Sequence, residues 1–176
     1  VALLLQEQYS NAIPLLAALS ADTADAARAG AARAQHAQAA FAAGRHDECL
    51  RVLRTACAEG MPPDHLILLS TLALQLGDTF YESYELEKAL DAYRCVLHRD
   101  ELLRRQEARL GALAAECRRL ERMPRTDLAA FAQLERAGLL EAQARDQIAT
   151  LSAQRDFDTS WLMRLGRCLY EMGALW

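Results

Sequence analysis

Four consecutive residues, His46-Asp47-Glu48-Cys49, carry an imidazole, two carboxylates and a thiol, the side chains from which a metal centre or an activated nucleophile is built. Neighbours on a helix point in different directions, and only residues three or four apart share a face. On a helix these four cannot converge on one ion or substrate, so the spacing predicts a helix start of mixed polarity. His36, His65 and His98 stand alone and read as surface or half-buried histidines rather than ligands. The chain has no phosphate-cradling glycine loop, no Gly-x-Ser-x-Gly elbow and no His-Glu-x-x-His pair. The expectation is no catalytic residue, no metal and no cofactor.

The cysteines, Cys49, Cys57, Cys95, Cys117 and Cys168, are odd in number and lack Cys-x-x-Cys spacing. Most fall on apolar helix positions and read as small core residues. That usage points to a reducing, intracellular compartment, with a cytoplasmic location as the expectation.

The elements that position these residues are helices. Hydrophobic residues make up 52% of the chain and aromatics only 6%, a surplus that comes from Ala and Leu, strong helix formers. No alternating β-branched run appears, so an all-α class follows. Helices are expected over 2–8, 10–19, 24–43, 46–59, 65–81, 84–99 and 101–122. Pro14 is placed in a first turn, where its missing donor is tolerated. Gly44 and Gly60 act as stops, and Met61-Pro62-Pro63-Asp64 is the clearest loop, with Asp64 as a cap for the next helix. Thr126-Asp127 offers a further cap. Segments 127–137 and 139–152 read as a hairpin about Gly138, apolar at Leu128, Phe131 and Leu134 and at Leu140, Ala144, Ile148 and Leu151; one bent helix fits equally well. A last helix follows Phe157, with Asp158 or Thr159 capping it.

Within that layout, Leu76-Gly77 and Phe80 precede Leu86, Ala89, Tyr93 and Val96. Leu76 and Phe80 share one helix face, Gly77 lets a second helix approach, and steps of three, four and three draw the facing stripe. This resembles the tetratricopeptide repeat, a helix-turn-helix unit of roughly 34 residues. The same frame recurs at Ala37, Ala40, Gly44, Cys49, Leu53 and Ala56, and half of it at Tyr9, Ala12, Leu16 and Leu19. Leu110-Gly111 with Leu120 fits a following unit until Met123-Pro124 interrupts it. Leu165-Gly166, Leu169-Tyr170 and Gly173 reproduce a first helix and its turn, with Trp161 and Tyr170 one residue outside the family frame. The resemblance implies a right-handed α-solenoid of antiparallel helix-turn-helix repeats. Residues 1–125 would be repeats with an incomplete first unit, 126–156 a helical hairpin without a clear frame, and 157–176 the first helix of a further unit. The open half-units suggest a piece of a longer protein and offer surfaces for self-association.

In this family first-helix side chains line a concave groove, and chaperone-binding members clamp a partner's terminal carboxylate. The clamp's positions fall on Ala34, Gln38 and Gln75, so it is not reproduced, although Arg105 and Arg109 occupy the basic positions of the third unit. The resemblance makes Gln38, Gln75, Asp78, Arg105 and Arg109 the candidate groove residues. Twenty basic against 24 acidic residues give a net charge of -4 and no general attraction for nucleic acid. Arginines at 104, 105, 109, 118, 119, 122 and 125 alternate with glutamates and read as a salt-bridged helix face. The longest apolar run, 66–76, is too short and too interrupted to span a membrane. The expected function is protein binding, through a helix or extended peptide in the groove or through neighbouring subunits. The rival is a regulatory module of an enzyme whose catalytic part lies outside this chain.

Overall fold

Among the described residues the Ala- and Leu-rich stretches are helical. The computed structural model describes residues 9–21, 26–61, 63–123 and 128–173. Its helices are α1 (Tyr9–Ser20), α2 (Ala26–Ala42), α3 (His46–Glu59), α4 (Leu66–Glu82), α5 (Leu86–Tyr93), α6 (Arg99–Leu120), α7 (Leu128–Ala153) and α8 (Phe157–Glu171). A turn of 3₁₀ helix, Pro63–His65, leads into α4, and no strand occurs among the described residues. The chain is all-α, as composition predicts. The expected helix at 2–8 and the Thr126-Asp127 cap lie outside the described residues. No described helix is long and apolar enough to cross a membrane.

The chain divides into two units, one running to Leu97 and resuming at Thr159, the other spanning His98–Asp158. In the first, α1 packs on α2, α2 on α3, α3 on α4, and α5 on both α4 and α3. Its core is lined by alanines of α2, including the fully buried Ala34, Ala37 and Ala40, by Cys49, Leu53 and Ala56 of α3, and by Leu69, Leu76 and Phe80 of α4.

Two hairpins, α2–α3 and α4–α5, turn in the same way 40 residues apart. The Gly44 amide donates to the Phe41 carbonyl at 3.0 Å and the Arg45 amide to Ala40 at 2.8 Å; Tyr84 to Tyr81 and Glu85 to Phe80 repeat this at 3.0 and 2.9 Å. Arg45 and Glu85 adopt φ, ψ of -88°, 63° and -89°, 64°. The turn needs a positive φ, which Gly44 supplies at 71° and Tyr84 at 63°. The first of these bonds recurs at the end of α8, where Gly173 has φ 70° and donates to the Tyr170 carbonyl at 3.0 Å.

In the second unit α7 packs along α6. Of the two readings of this stretch, a hairpin about Gly138 or one helix, the structure has one helix: α7 runs through Gly138, since a glycine without a positive φ weakens a helix interior by about 1 kcal/mol without stopping it. The buried line of α7 is Ala130, Ala137, Ala144 and Leu151, seven residues apart, with Ala130, Ala137 and Leu134 clustered on Cys117 and Leu120 of α6. Leu128 and Phe131, expected on the apolar face, are 81% and 55% exposed, because a seam of small alanines lets the backbones approach and leaves large side chains outside. Asp158 does not cap its own helix. It lies in the first turn of α8, and its Oδ1 accepts the Arg99 amide, the first of α6, at 2.8 Å, while its Oδ2 pairs with His98 at 3.1 Å.

Two further boundaries depart from expectation. α5 stops at Tyr93 rather than near 99, because Cys95 and Val96 turn inward and the Leu97 amide is taken by the Ser70 hydroxyl at 3.0 Å. Pro14 lies inside α1 rather than in a first turn, on the exposed side, where the carbonyl that loses its donor meets water.

Candidate functional site

His46-Asp47-Glu48-Cys49 point four ways, as helix geometry requires. His46 lies between Phe41, tilted against it at 5.6 Å, and Phe80, edge-on at 6.1 Å between ring centres. Asp47 pairs with Lys88 at 2.6 Å, and Glu48 reaches the buried His36 Nε2 at 2.9 Å. Cys49 is fully buried, and burial pushes its thiol up to about 12, which leaves it inert near neutrality. Among the described residues no group of His, Cys, Asp and Glu is arranged to hold a metal ion.

A candidate surface of the first unit lies between α4 and the end of α8, in an open cleft of about 540 Å³. Its floor is built on Gly77. A Cβ there would fall inside the Tyr93 ring, so only glycine lets α5 lay that tyrosine flat on α4. The Tyr93 hydroxyl then donates to Asp78 Oδ1 at 2.8 Å. Burial first, and the Asp78 carboxylate second, hold the phenol above its ordinary range, so it stays a donor. From α8, Arg164 Nε donates to both Asp78 oxygens at 2.9 and 3.2 Å, and Trp161 Nε1 donates to the Tyr93 carbonyl at 2.9 Å. Cys168 donates to the Leu86 carbonyl at 3.2 Å. α8 is thus tied to α4 and α5 along its length.

At the rim Tyr81 donates to Glu171, and the Arg167 guanidinium lies 4.8 Å over the Tyr81 ring while pairing with Glu171 at 3.5 Å. Tyr84, on the positive-φ turn, is 75% exposed beside them. Asp78 is taken up by Tyr93 and Arg164, and Glu171 by Tyr81 and Arg167. What the lining offers is aromatic and guanidinium surface, the composition enriched where proteins recognise one another.

The candidates from the family frame scatter. Asp78 is in the cleft, but as a structural acceptor. Gln38 and Gln75 are exposed on α2 and α4. Arg105 and Arg109 belong to the second unit: Arg105 pairs with Glu101 at 2.5 Å, and Arg109 is buried on the α6 stripe, donating to Gln106 and Gln147 at 3.4 Å each. Missed by the sequence reading were Tyr81, Tyr84, Arg164 and Arg167. A signal was present: aligning the three turns puts Arg164 and Arg167 at the positions of Gln75 and Asp78, and Tyr84 where the other turns have glycine.

Fold and site together define an all-α chain with repeated helix turns and an aromatic, arginine-bearing cleft. No family model, curated protein or solved structure matches it.

Proposed function

We propose that the chain is part of a right-handed α-solenoid of tetratricopeptide-like repeats that binds other proteins, as an adaptor or a subunit of a larger assembly, and performs no chemistry itself. The observation that carries this reading is the turn repeated at Gly44 and Tyr84 with one hydrogen-bond pattern, its positive φ and first bond recurring at Gly173, together with the stripe Leu86, Ala89, Tyr93 opposite Gly77. Such repeats expose first-helix side chains to a partner's helix or extended segment. In this chain Tyr81 and Arg167 are the helix side chains so offered, with Tyr84 beside them on the turn.

The test is crosslinked affinity capture, read by mass spectrometry, with the intact chain and with a Tyr84→Gly, Arg167→Ala variant. Glycine suits the turn and the Arg167 pair is exposed, so the variant should fold. A defined set of proteins lost with the variant supports the reading: a fixed set indicates a subunit, a scatter of related clients an adaptor. An unchanged set, or none, counts against it.

A further inference from the structure

We propose that Cys57 and Cys95 are a modification site, joined in a reversible disulfide when the chain meets a hydroperoxide. Cys57 is the exposed cysteine of the five, near the end of α3, and Cys95 is buried just beyond α5. The Cys57 thiol donates to the Cys95 carbonyl at 3.9 Å, and the Cys95 thiol donates to the Asp91 carbonyl at 3.4 Å, one turn back in α5. Flanking contacts hold both backbones. Arg54 on α3 pairs with Asp91 on α5 at 3.3 Å, Lys88 with Asp47 at 2.6 Å, and the Leu97 amide is fixed on Ser70 at 3.0 Å. The remaining cysteines are buried and have other partners or surroundings: Cys168 donates to a carbonyl of α5, Cys49 sits in the α3 core, and Cys117 clusters with Leu120 and Ala130.

The pair divides the work. The Cys95 side chain beside it holds the Cys57 thiol below its ordinary value, although burial opposes this, so the accessible sulfur is the one that ionises. Cys95 is pushed up, first by the neighbouring Cys57 side chain and then by burial, and stays protonated in reserve. The Cys57 thiolate attacks one oxygen of the hydroperoxide: an S–O bond forms, the O–O bond breaks, and the departing alkoxide takes a proton to become an alcohol. Converting Cys57 to the sulfenic acid removes the charge that held Cys95 protonated. Cys95 then gives up its proton and attacks the sulfenic sulfur; the S–S bond forms, the S–O bond breaks, and hydroxide leaves with that proton as water. Two thiols are oxidised to one disulfide, and the hydroperoxide is reduced to alcohol and water.

The intact chain is treated with about one equivalent of hydrogen peroxide, alkylated, digested with trypsin without reduction and analysed by mass spectrometry. Cys57 lies in tryptic segment 55–88 and Cys95 in 95–99. The expected product is these two segments linked, released by dithiothreitol, with a rise in the unfolding midpoint on the order of 5–10 °C that reduction reverses. In Cys95→Ser, Cys57 should stop at a dimedone-trappable sulfenic acid. Three results each overturn the proposal: Cys57 oxidised in the wild type with no link to Cys95, a link from Cys57 to another chain, or a disulfide between other cysteines.

Discussion

The hairpins α2–α3 and α4–α5 share a turn and differ in the seam beneath it. Forty residues apart, Ala37 corresponds to Gly77 and Leu53 to Tyr93; all four are buried. The first hairpin matches a small residue with a medium one, and the second matches no side chain with a large ring. The turn fixes how closely the helices approach, and each seam fills that space by its own division of volume. Ridges differ while the turn does not, because close packing constrains the sum and not the individual side chains.

The largest expected effect breaks one seam with its own counterpart's residue. Gly77→Ala gains about 1 kcal/mol of helix propensity but drives a methyl into the Tyr93 ring, and should destabilise the chain by about 1–3 kcal/mol net. Adding Tyr93→Leu rebuilds the Ala/Leu pairing of the first hairpin and should recover much of that loss, although it leaves Asp78 to Arg164 alone. Denaturant unfolding of the two single variants and the double gives the coupling. Additive losses would sink the idea that the seams compensate.

A second difference is polar. His36 occupies the position of Leu76, is 2% exposed, and relies on Glu48 Oε1 at 2.9 Å; its Nδ1 has no partner. Glu48→Ala should cost about 1–2 kcal/mol, since it strands a buried imidazole. His36→Leu copies the second hairpin and removes the need for the carboxylate. In that background Glu48→Ala should be close to neutral, and a loss equal to that in the wild type would show that Glu48 acts through Arg45 and Arg51 instead.

The helices were legible in the sequence because alanine, leucine and the 3–4 spacing are local signals. α3 was read to the residue, from Gly44 before it and Gly60 after it. The Gly77 seam was legible too, since a glycine amid large apolar residues on a helix has few other uses. What escaped was decided by distant partners. α5 ends early because Ser70, in another helix, takes the Leu97 amide. Asp158 serves the start of α6 rather than its own helix. In α7 the large residues looked like the core face, but the alanine seam won because close approach buries more backbone than Leu128 or Phe131 would bury alone. The cleft needed the α8 turn to be aligned with the earlier two, and Tyr84 hid the match by standing in a glycine position.

That tyrosine carries the third prediction. A bulky residue at φ 63° is strained by about 1 kcal/mol, and Gly44 and Gly173 show what the turn accepts without strain. Tyr84→Gly should therefore raise stability by up to about 1 kcal/mol, since glycine's greater unfolded-state freedom offsets part of the relief. Gly44→Tyr, the reverse exchange in the first hairpin, should lower it. A destabilised Tyr84→Gly would mean that the exposed ring has a packing role.

The smallest effect tests whether the surface of the second unit matters as much as the seams of the first. Glu101 accepts from Arg104 at 2.7 and 2.9 Å and also from Arg105, and Glu116 accepts from Arg119 at 2.6 and 2.7 Å. These guanidinium bonds hold both carboxyls below their ordinary value of 4.5. A carboxyl depressed in the folded state contributes stability above its unfolded value and loses it as pH falls through the lower folded value. The α6 pairs should therefore support the helix at neutral pH and fade below about pH 4.5. Solvent and salt screen such pairs, so Glu101→Gln should flatten the acid limb of the denaturant midpoint only slightly and should cost less than Gly77→Ala at pH 7. Equal losses from the two would mean that surface charge, and not seam volume, holds these helices together.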